Sequence, residues 1–520
     1  MDDLTRLFES VPQEKLEAAP KELLVKYIRL QDQFLKDLQR QLKVAKEKEF
    51  QVRDQLLLAT DELYGHSSEK LAAPETTTGS DLDGSRLDTS IESGSENSKK
   101  PKKKRILLPS ERYPNAPLVE REVELAEIPN CSCCGKTLAK SGMTEDLEYI
   151  EKIPASYQVI RERKHKYNCT TCHGEIVTTP AIPRIKPGSA YGDEVIIDVG
   201  VSKFCDLIPI DRQVKIAGRL GFEGLPPQSL IETTHYLADF LRVIYRKIKS
   251  ETLLSRVLYA DETPHRMLEG SDKNNWYFWG FSGERSAYFE AHDTRSGDVA
   301  IEFLKGSSCE YLMSDVYSGY VRTATAVNEE RKLARKELLK KIYCNAHARR
   351  KFRDAKVFPE HLYFLEQYQK IYRLDELGRE RSSEEFREYR LKMIPVFEEM
   401  KKRAFELMVS FSSKSSLVKA FQYFLKNYDE LTEFTKNEIA PIDNNHQERL
   451  LRNPVVGRKT WYGTHSVRGA ETTAVLFSVM ESCKMNKVNP RVYLAEVSKT
   501  ILAGKDPVTP AQFALNELET

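Results

Sequence analysis

The spacing of apolar residues changes period several times along the chain, and each change predicts a different element. Between Pro20 and about Leu71, Leu24, Ile28, Leu35, Leu38, Leu42, Val52, Leu56 and Leu63 follow a roughly heptad register, broken at Gln31, Ala45 and Glu49. That register predicts a long helix with a coiled-coil seam for self-association, although a solvated helix packed on its own domain shows the same pattern. Residues 72–105 hold almost no large apolar side chains, so they read as a linker too polar to offset chain entropy. Residues 203–249 read as helical. Within them RQVKIAGRLGFEGLPPQSLIETTHYLADF predicts a helix, a Gly-containing turn and a second helix opened by Pro226-Pro227. This pair fits either a helix-turn-helix or an ordinary helical hairpin. The polar members of its second helix, Gln228, Ser229, Glu232, Thr233 and His235, are not basic.

From Ser255 the period becomes that of strands. RVLYA, WYFWGFS and SAYFEAH predict a three-strand meander, and CEYLMSD a fourth strand returning after the helix-like DVAIEFLKG. A fifth strand ending at Ile342-Tyr343-Cys344 runs into a helix carrying His347. Residues 355–437 are charged, helical in pattern and rich in Tyr and Phe, as an inserted helical subdomain would be. Residues 472–503 read as amphipathic helices packing on the core. The predicted fold class is multidomain α+β.

Composition adds less than clustering does. The 520 residues carry a net charge of only +2, with 40% hydrophobic and 30% charged residues, so overall charge does not announce a polyanion partner. Basic residues do cluster, in Lys99–Arg105 at the end of the linker and in Arg161, Arg163, Lys164, His165 and Lys166. Such clusters can bind DNA phosphates by releasing counterions, and the first serves equally well for solubility. The start, MDDLTRLFESVPQE, lacks the basic and apolar regions of a signal peptide, and no apolar run reaches membrane-spanning length. The expectation is a cytoplasmic protein with no membrane partner. Of nine cysteines, four form two CxxC pairs, Cys131 with Cys134 and Cys169 with Cys172, separated by 34 residues. Two such knuckles can close a tetrahedral structural Zn2+ site, with Cys133 and His173 as competing ligands; reduced cysteines without metal are the alternative.

Three acids are placed where stability alone would not put them. Asp261 in LYADETP and Asp315 in YLMSDVYSGY follow short apolar runs that predict buried strands, and Glu448 lies in the helical DNNHQERLLR. A carboxylate at the end of a buried strand is costly unless a cation neutralises it. Hard cations such as Mg2+ bind through one or two carboxylates, keeping water and phosphate oxygens, and a pair can clamp both oxygens of a phosphoryl displacement. Spacing alone also allows three acids by accident among 78. Asp443 rivals Glu448 for the third place. Arg349, Arg350 and Lys351 are candidates for phosphate contacts, because guanidinium grips phosphate bidentately. GRKTWYGTHSVRGAE adds Arg458, Lys459, Trp461 and Tyr462, a basic and aromatic cluster suited to phosphates and an unstacked base.

ADETP, SDVYSGY, CNAHARRKF, the DNN-x-x-ER-x-LR block and GRKTWY, in that order, resemble the transposases of the insertion-sequence family IS sixty-six, within the Asp-Asp-Glu group. The resemblance runs from about residue 20 to the C-terminus. It implies an RNase H-like catalytic core, in which the first and fourth strands lie side by side, and Asp261, Asp315 and Glu448 as the residues holding two Mg2+ (or Mn2+) ions. It implies that Cys344 and His347 support the site, and that Asn444, Asn445 and Arg452 belong to its block, Arg452 as a DNA contact. It implies a zinc-binding segment at Cys131, Cys134, Cys169 and Cys172. The predicted domains are 1–71 (helix), 72–105 (linker), 106–190 (zinc), 191–250 (helical, candidate DNA-binding) and 251–354 (first part of the core). They continue as 355–437 (insertion), 438–471 (last part of the core) and 472–520 (tail). The implied activity is Mg2+-dependent cleavage of DNA at the element's ends and strand transfer into a target, by at least a dimer at the nucleoid, with helper proteins encoded nearby. An inactive DNA-binding scaffold and an RNase H-like nuclease or resolvase remain the alternatives.

Overall fold

The computed structural model describes residues 155–168, 176–269 and 273–519, together with positions 32, 33, 35, 36, 108–112, 118, 133 and 148. The linker, all four CxxC cysteines and the heptad seam apart from Leu35 lie outside the described residues. Two compact units are defined, Ser68–Val159 and the remainder. Within the smaller unit a helical turn, Pro109–Arg112, is held where Ser110 donates through its backbone N and its Oγ to the Glu148 carboxylate, both at 2.8 Å. In the larger unit β1 (Lys166–Asn168) and β2 (Ile176–Thr178) pair antiparallel, and in sequence they flank Cys169 and Cys172.

Four helices lead into the core: α1 (Asp193–Phe204), α2 (Ile210–Arg219), α3 (Pro227–Phe240) and α4 (Arg242–Leu253). The main sheet follows as β3 (Val257–Arg266), β4 (Asn275–Ser282), β5 (Ala287–His292), β6 (Tyr311–Ser314) and β7 (Lys340–Tyr343). Its order is β5-β4-β3-β6-β7. The first three strands are an antiparallel meander, and β6 returns beside β3 in parallel after α5 (Asp298–Leu304). The adjacency expected of the first and fourth strands is therefore present. One face of the sheet carries Trp279 and Phe281, packed on Tyr320 of α6 (Ser318–Leu333) and on Phe303 of α5, with the Phe281 and Phe303 centroids 3.9 Å apart.

The opposite face is covered in two ways. From α7 (Asn345–Asp354) the chain enters α8 (His361–Arg379), α9 (Ser383–Met408), α10 (Ser416–Lys426) and α11 (Tyr428–Thr432), the helical insertion that the pattern predicts. Phe352, Phe364, Phe397 and Phe424 form its centre, continuous with Val257, Tyr311, Met313 and Ile342 of the sheet. The insertion thus shares its core with β3, β6 and β7. Beside it lie α12 (Asn445–Trp461) and α13 (Val467–Met485), followed by α14 (Pro490–Leu502) and α15 (Pro510–Glu519).

Two expectations are corrected. The run ending at Ala260 predicts a strand that stops before Asp261, but β3 continues to Arg266, paired throughout with β4. Its parallel pairing with β6 ends at Tyr259, so the later half has no partner strand on that side, where Pro264 costs no ladder hydrogen bond. The tail helix α13 is not amphipathic, because Thr472 through Cys483 are all buried. A helix covered on every side has no polar face to show. Its serines instead close the outer edge of β5, where Phe289 N donates to Ser478 Oγ (2.9 Å) and Ala287 N to Ser482 Oγ (3.0 Å).

Gly280 of β4 pairs with both Asp261 and Phe289, and a Cβ there would overlap the Gln447 amide of α12 and crowd the Phe289 ring. Gly280→Ala should therefore lift α12 from the sheet and destabilise the protein by about 1–3 kcal/mol. Urea unfolding checks this, and a midpoint equal to that of the parent would show that this close approach does not seat the helix.

Candidate active site

The sheet register brings two of the predicted acids together. The last pair between β3 and β6 is Tyr259 with Met313, and two residues further along each chain stand Asp261, still within β3, and Asp315, one residue past the end of β6. With a side-chain period of two, Asp261 takes the face of Tyr259, and it feels the charge of Asp315. Asp261 Oδ1 accepts from Glu262 N at 2.9 Å, and Asp315 Oδ1 accepts from Tyr317 N at 3.0 Å.

The third acid is brought in by its helix. Asn444, ahead of α12, donates through Nδ2 to Ala260 O (3.1 Å) and through its backbone N to Cys344 Sγ (3.2 Å). Gln447 accepts from Ser282 Oγ at 2.5 Å, and the His446 ring lies 5.0 Å from that of Tyr259. These bonds lock the first turn of α12, and with it Glu448, over the strand that carries Asp261. The rival acid Asp443 is committed elsewhere, accepting from Tyr372 Oη (3.0 Å), Asn445 Nδ2 (2.7 Å) and Asn445 N (3.1 Å).

The acids also sense one another electrostatically. Burial holds the Asp261 carboxyl well above the ordinary carboxylate range, and the charges of Glu262, Asp315 and Glu448 push it further. Among the described residues neither Asp261 nor Asp315 forms an ion pair. Glu262 points to the opposite face, where it accepts from Tyr320 Oη (2.5 Å) and Arg295 Nε (2.7 Å). Sequence spacing did not single out that support.

Glu448 is drawn toward α7. Its Oε1 lies 3.6 Å from His347 Nδ1 and its Oε2 lies 4.0 Å from an Arg350 guanidinium nitrogen. Cys344 Sγ, His347 and Glu448 offer ligand atoms within 4.8 Å of one another, and among the described residues no other trio of metal-binding side chains is so close. The three predicted acids thus share a field without closing to that spacing. Burial pushes the Cys344 thiol up to about 12.

The predicted phosphate contacts spread along two helices. On α7, Arg349 and Arg350 are half-buried, while Lys351 is exposed with its Nζ 5.8 Å from the Tyr423 ring centroid. On α12, Arg452 and Lys459 are exposed. Arg458 is half-buried, and burial holds its guanidinium below the usual range. Trp461 packs edge-on against Phe204 (6.1 Å), leaving Tyr462, 75% exposed, as the outward aromatic of that helix end. Lys203, which pattern reading missed, lies 5.5 Å over the Trp461 ring, and burial lowers it to about 8. On α3, Glu232 pairs with Arg468 and His235 bonds to Thr472, so part of that polar helix face is spent on α13.

The donor set suits a hard divalent cation. Asp261 and Asp315 have no ion-pair partner among the described residues, and Glu448 Oε1 is buried without a hydrogen-bond partner. A five-stranded mixed sheet, with one acid in β3, one just past β6 and one in the first turn of α12, defines an α+β domain.

Comparison with known proteins then identifies the domain. Residues 188–472 match the model of the Transposase IS66 family, over half of the chain, from before α1 into α13 and including all three acids. The chain belongs to that family. It is similar to the uncharacterized protein y4hP of Sinorhizobium fredii, 28% identical over 422 residues, covering 75% of this chain and 74% of that protein. It is also similar to the uncharacterized protein y4jD of the same organism, 26% identical over 407 residues, with 75% and 76% coverage. No described helix is long and apolar enough to cross a membrane.

The raised Asp261 carboxyl sets a pH dependence. The folded protein keeps this proton at pH values where the unfolded chain has lost it, so cation-free stability falls as pH rises above the unfolded value near 4. A divalent cation reverses that loss. Mg2+ or Mn2+ should raise Tm by a few degrees at pH 8 and less at pH 5.5. Asp261→Asn should raise the cation-free Tm and cancel the increment. A parent Tm indifferent to both ions would rule out cation binding here.

Proposed function

We propose that this chain is a DDE transposase with an RNase H-like core, cutting DNA at the ends of its element and joining the freed ends to a target. The observation that carries this reading is the placement of Asp261 in β3 and of Asp315 just past the end of the adjacent parallel strand β6, under a helix whose first turn presents Glu448. These three residues would hold two Mg2+ or Mn2+ ions, which when bound supply charge stabilisation to the attacking and leaving oxygens of phosphodiester exchange. The protein contributes position and charge. Hydrolysis breaks the bond from phosphorus to the 3′ oxygen and leaves a 3′-hydroxyl. That hydroxyl then attacks a target phosphodiester in the same site, forming a new bond to its phosphorus as the target strand's own 3′ oxygen leaves as a hydroxyl, so no covalent protein–DNA intermediate is required.

Arg349, Arg350 and Lys351 on α7, with Arg452, Arg458 and Lys459 on α12, extend from the carboxylates along two helices and would hold the DNA backbone on either side. Cys131, Cys134, Cys169 and Cys172 would bind one structural Zn2+. The N-terminal helix would join at least two chains, so that paired ends are processed together. Helper proteins encoded by the same element would complete the assembly, which would act at the bacterial nucleoid.

Asp261→Asn should reduce Mn2+- or Mg2+-dependent nicking of a supercoiled plasmid carrying the element's ends by at least about a hundredfold, with DNA affinity retained. Cleavage by this variant would overturn the assignment. A parent that binds DNA but never nicks it would be a scaffold, and one that prefers branched junctions over ends would be a nuclease or resolvase. Lys459→Ala should lower the salt dependence of DNA binding by about one phosphate contact, a change of roughly 0.9 in the log–log slope measured by fluorescence anisotropy.

A further inference from the structure

Two motif residues on α7 meet the catalytic helix in a way that hard-cation chemistry leaves unused. Cys344 stands just ahead of α7 and His347 in its first turn, so their spacing of three turns both side chains to one side of the helix end. α12 delivers Glu448 to that side. The three ligand atoms come within 4.8 Å of one another. His347 Nδ1 and Glu448 Oε1 are both buried and lack hydrogen-bond partners, yet face each other at 3.6 Å. That gap is too long for a hydrogen bond. It is close to the roughly 3.3–3.6 Å between a nitrogen and an oxygen ligand that each sit about 2.0–2.2 Å from a tetrahedral ion. Burial disfavours the Cys344 thiolate, and the N–H that Asn444 directs at its Sγ at 3.2 Å opposes part of that cost.

A thiolate and an imidazole select a softer ion than Mg2+. We infer that Cys344, His347 and Glu448 form a second metal site, for Zn2+ or a similar thiophilic ion, whose filling holds Glu448 away from Asp261 and Asp315. Zinc at this site therefore switches the nuclease centre off. The binding claim stands on the three ligands alone, and the switching claim rests on Glu448 being the third catalytic carboxylate.

Zinc binding by the full chain, measured in competition with a chromophoric chelator, separates the two claims. The parent should bind one more equivalent than Cys344→Ser or His347→Gln, and Asp261→Asn should bind as much as the parent. Serine keeps an acceptor for the Asn444 amide, and thermal melts establish that each variant is folded. With Co2+ as the probe, the parent-minus-Cys344→Ser difference spectrum should show a sulfur-to-cobalt charge-transfer band. Equal zinc binding by the parent and both ligand variants overturns the site. Loss of the same equivalent in Asp261→Asn also overturns it, by placing the ion among the acids. On DNA, one added equivalent of zinc should slow Mn2+-dependent nicking by the parent at least about tenfold, reversibly with chelator. An unchanged rate overturns the switch. If the parent never nicks DNA, the proposed transposase activity fails instead, and the stoichiometry still decides the site.

Discussion

The architecture depends on how closely α12 can sit on the sheet. Its first turn is fixed by a short set of polar contacts, Asn444 to Ala260, Asn444 to Cys344 and Gln447 to Ser282, made where Gly280 offers no side chain to hold the helix away. Asn444 and Gln447 are fully buried. Buried polar groups are costly unless paired, so these bonds tolerate little sliding of the helix over β3. The position of Glu448 follows from that restriction. A loop would not hold a carboxylate so firmly over β3.

The same restriction spreads outward. Asn345, at the start of α7, donates through Nδ2 to Ile442 O and Leu431 O, binding the CNAH string to the segment entering α12. Behind α12, the turn at Gly463 packs onto Arg266 O, where a Cβ has no room, and Thr464 bonds to the buried His265 at 3.0 Å. Both ends of α12 are thereby tied to β3. The helix spans the strand that carries Asp261, and α13 then closes the outer edge of β5 with its serines.

A site of this kind works against stability. Asp261 is pressed by burial and by three other acids, and its carboxyl is held above its ordinary range. The surrounding structure absorbs that cost through two aromatic-rich cores, both of which include residues of β3. Within the insertion, the buried pair Arg390–Asp375 at 2.9 Å shows the same fold burying charge where a partner is present. The contrast is between Asp375, buried beside a cation, and Asp261, buried among acids with no ion pair among the described residues.

Local pattern was enough to mark the elements of the core. Period-two runs gave five strands and period-3.6 runs the helices around them, because side-chain alternation is a local property of the backbone. The residue types of the site were legible too, since Asp261, Asp315, Cys344, His347 and Glu448 stand in short strings whose polarity breaks the surrounding pattern. Three matters needed the folded chain. β3 runs on past Asp261 because β4 continues to pair with it after β6 has stopped. α13 is buried all round because helices pack on it from several sides, and no local spacing reports neighbours hundreds of residues away. Glu448 stands nearer to His347 than three acids in a sequence imply, because α7 and α12 meet only once the insertion between them has folded onto the sheet.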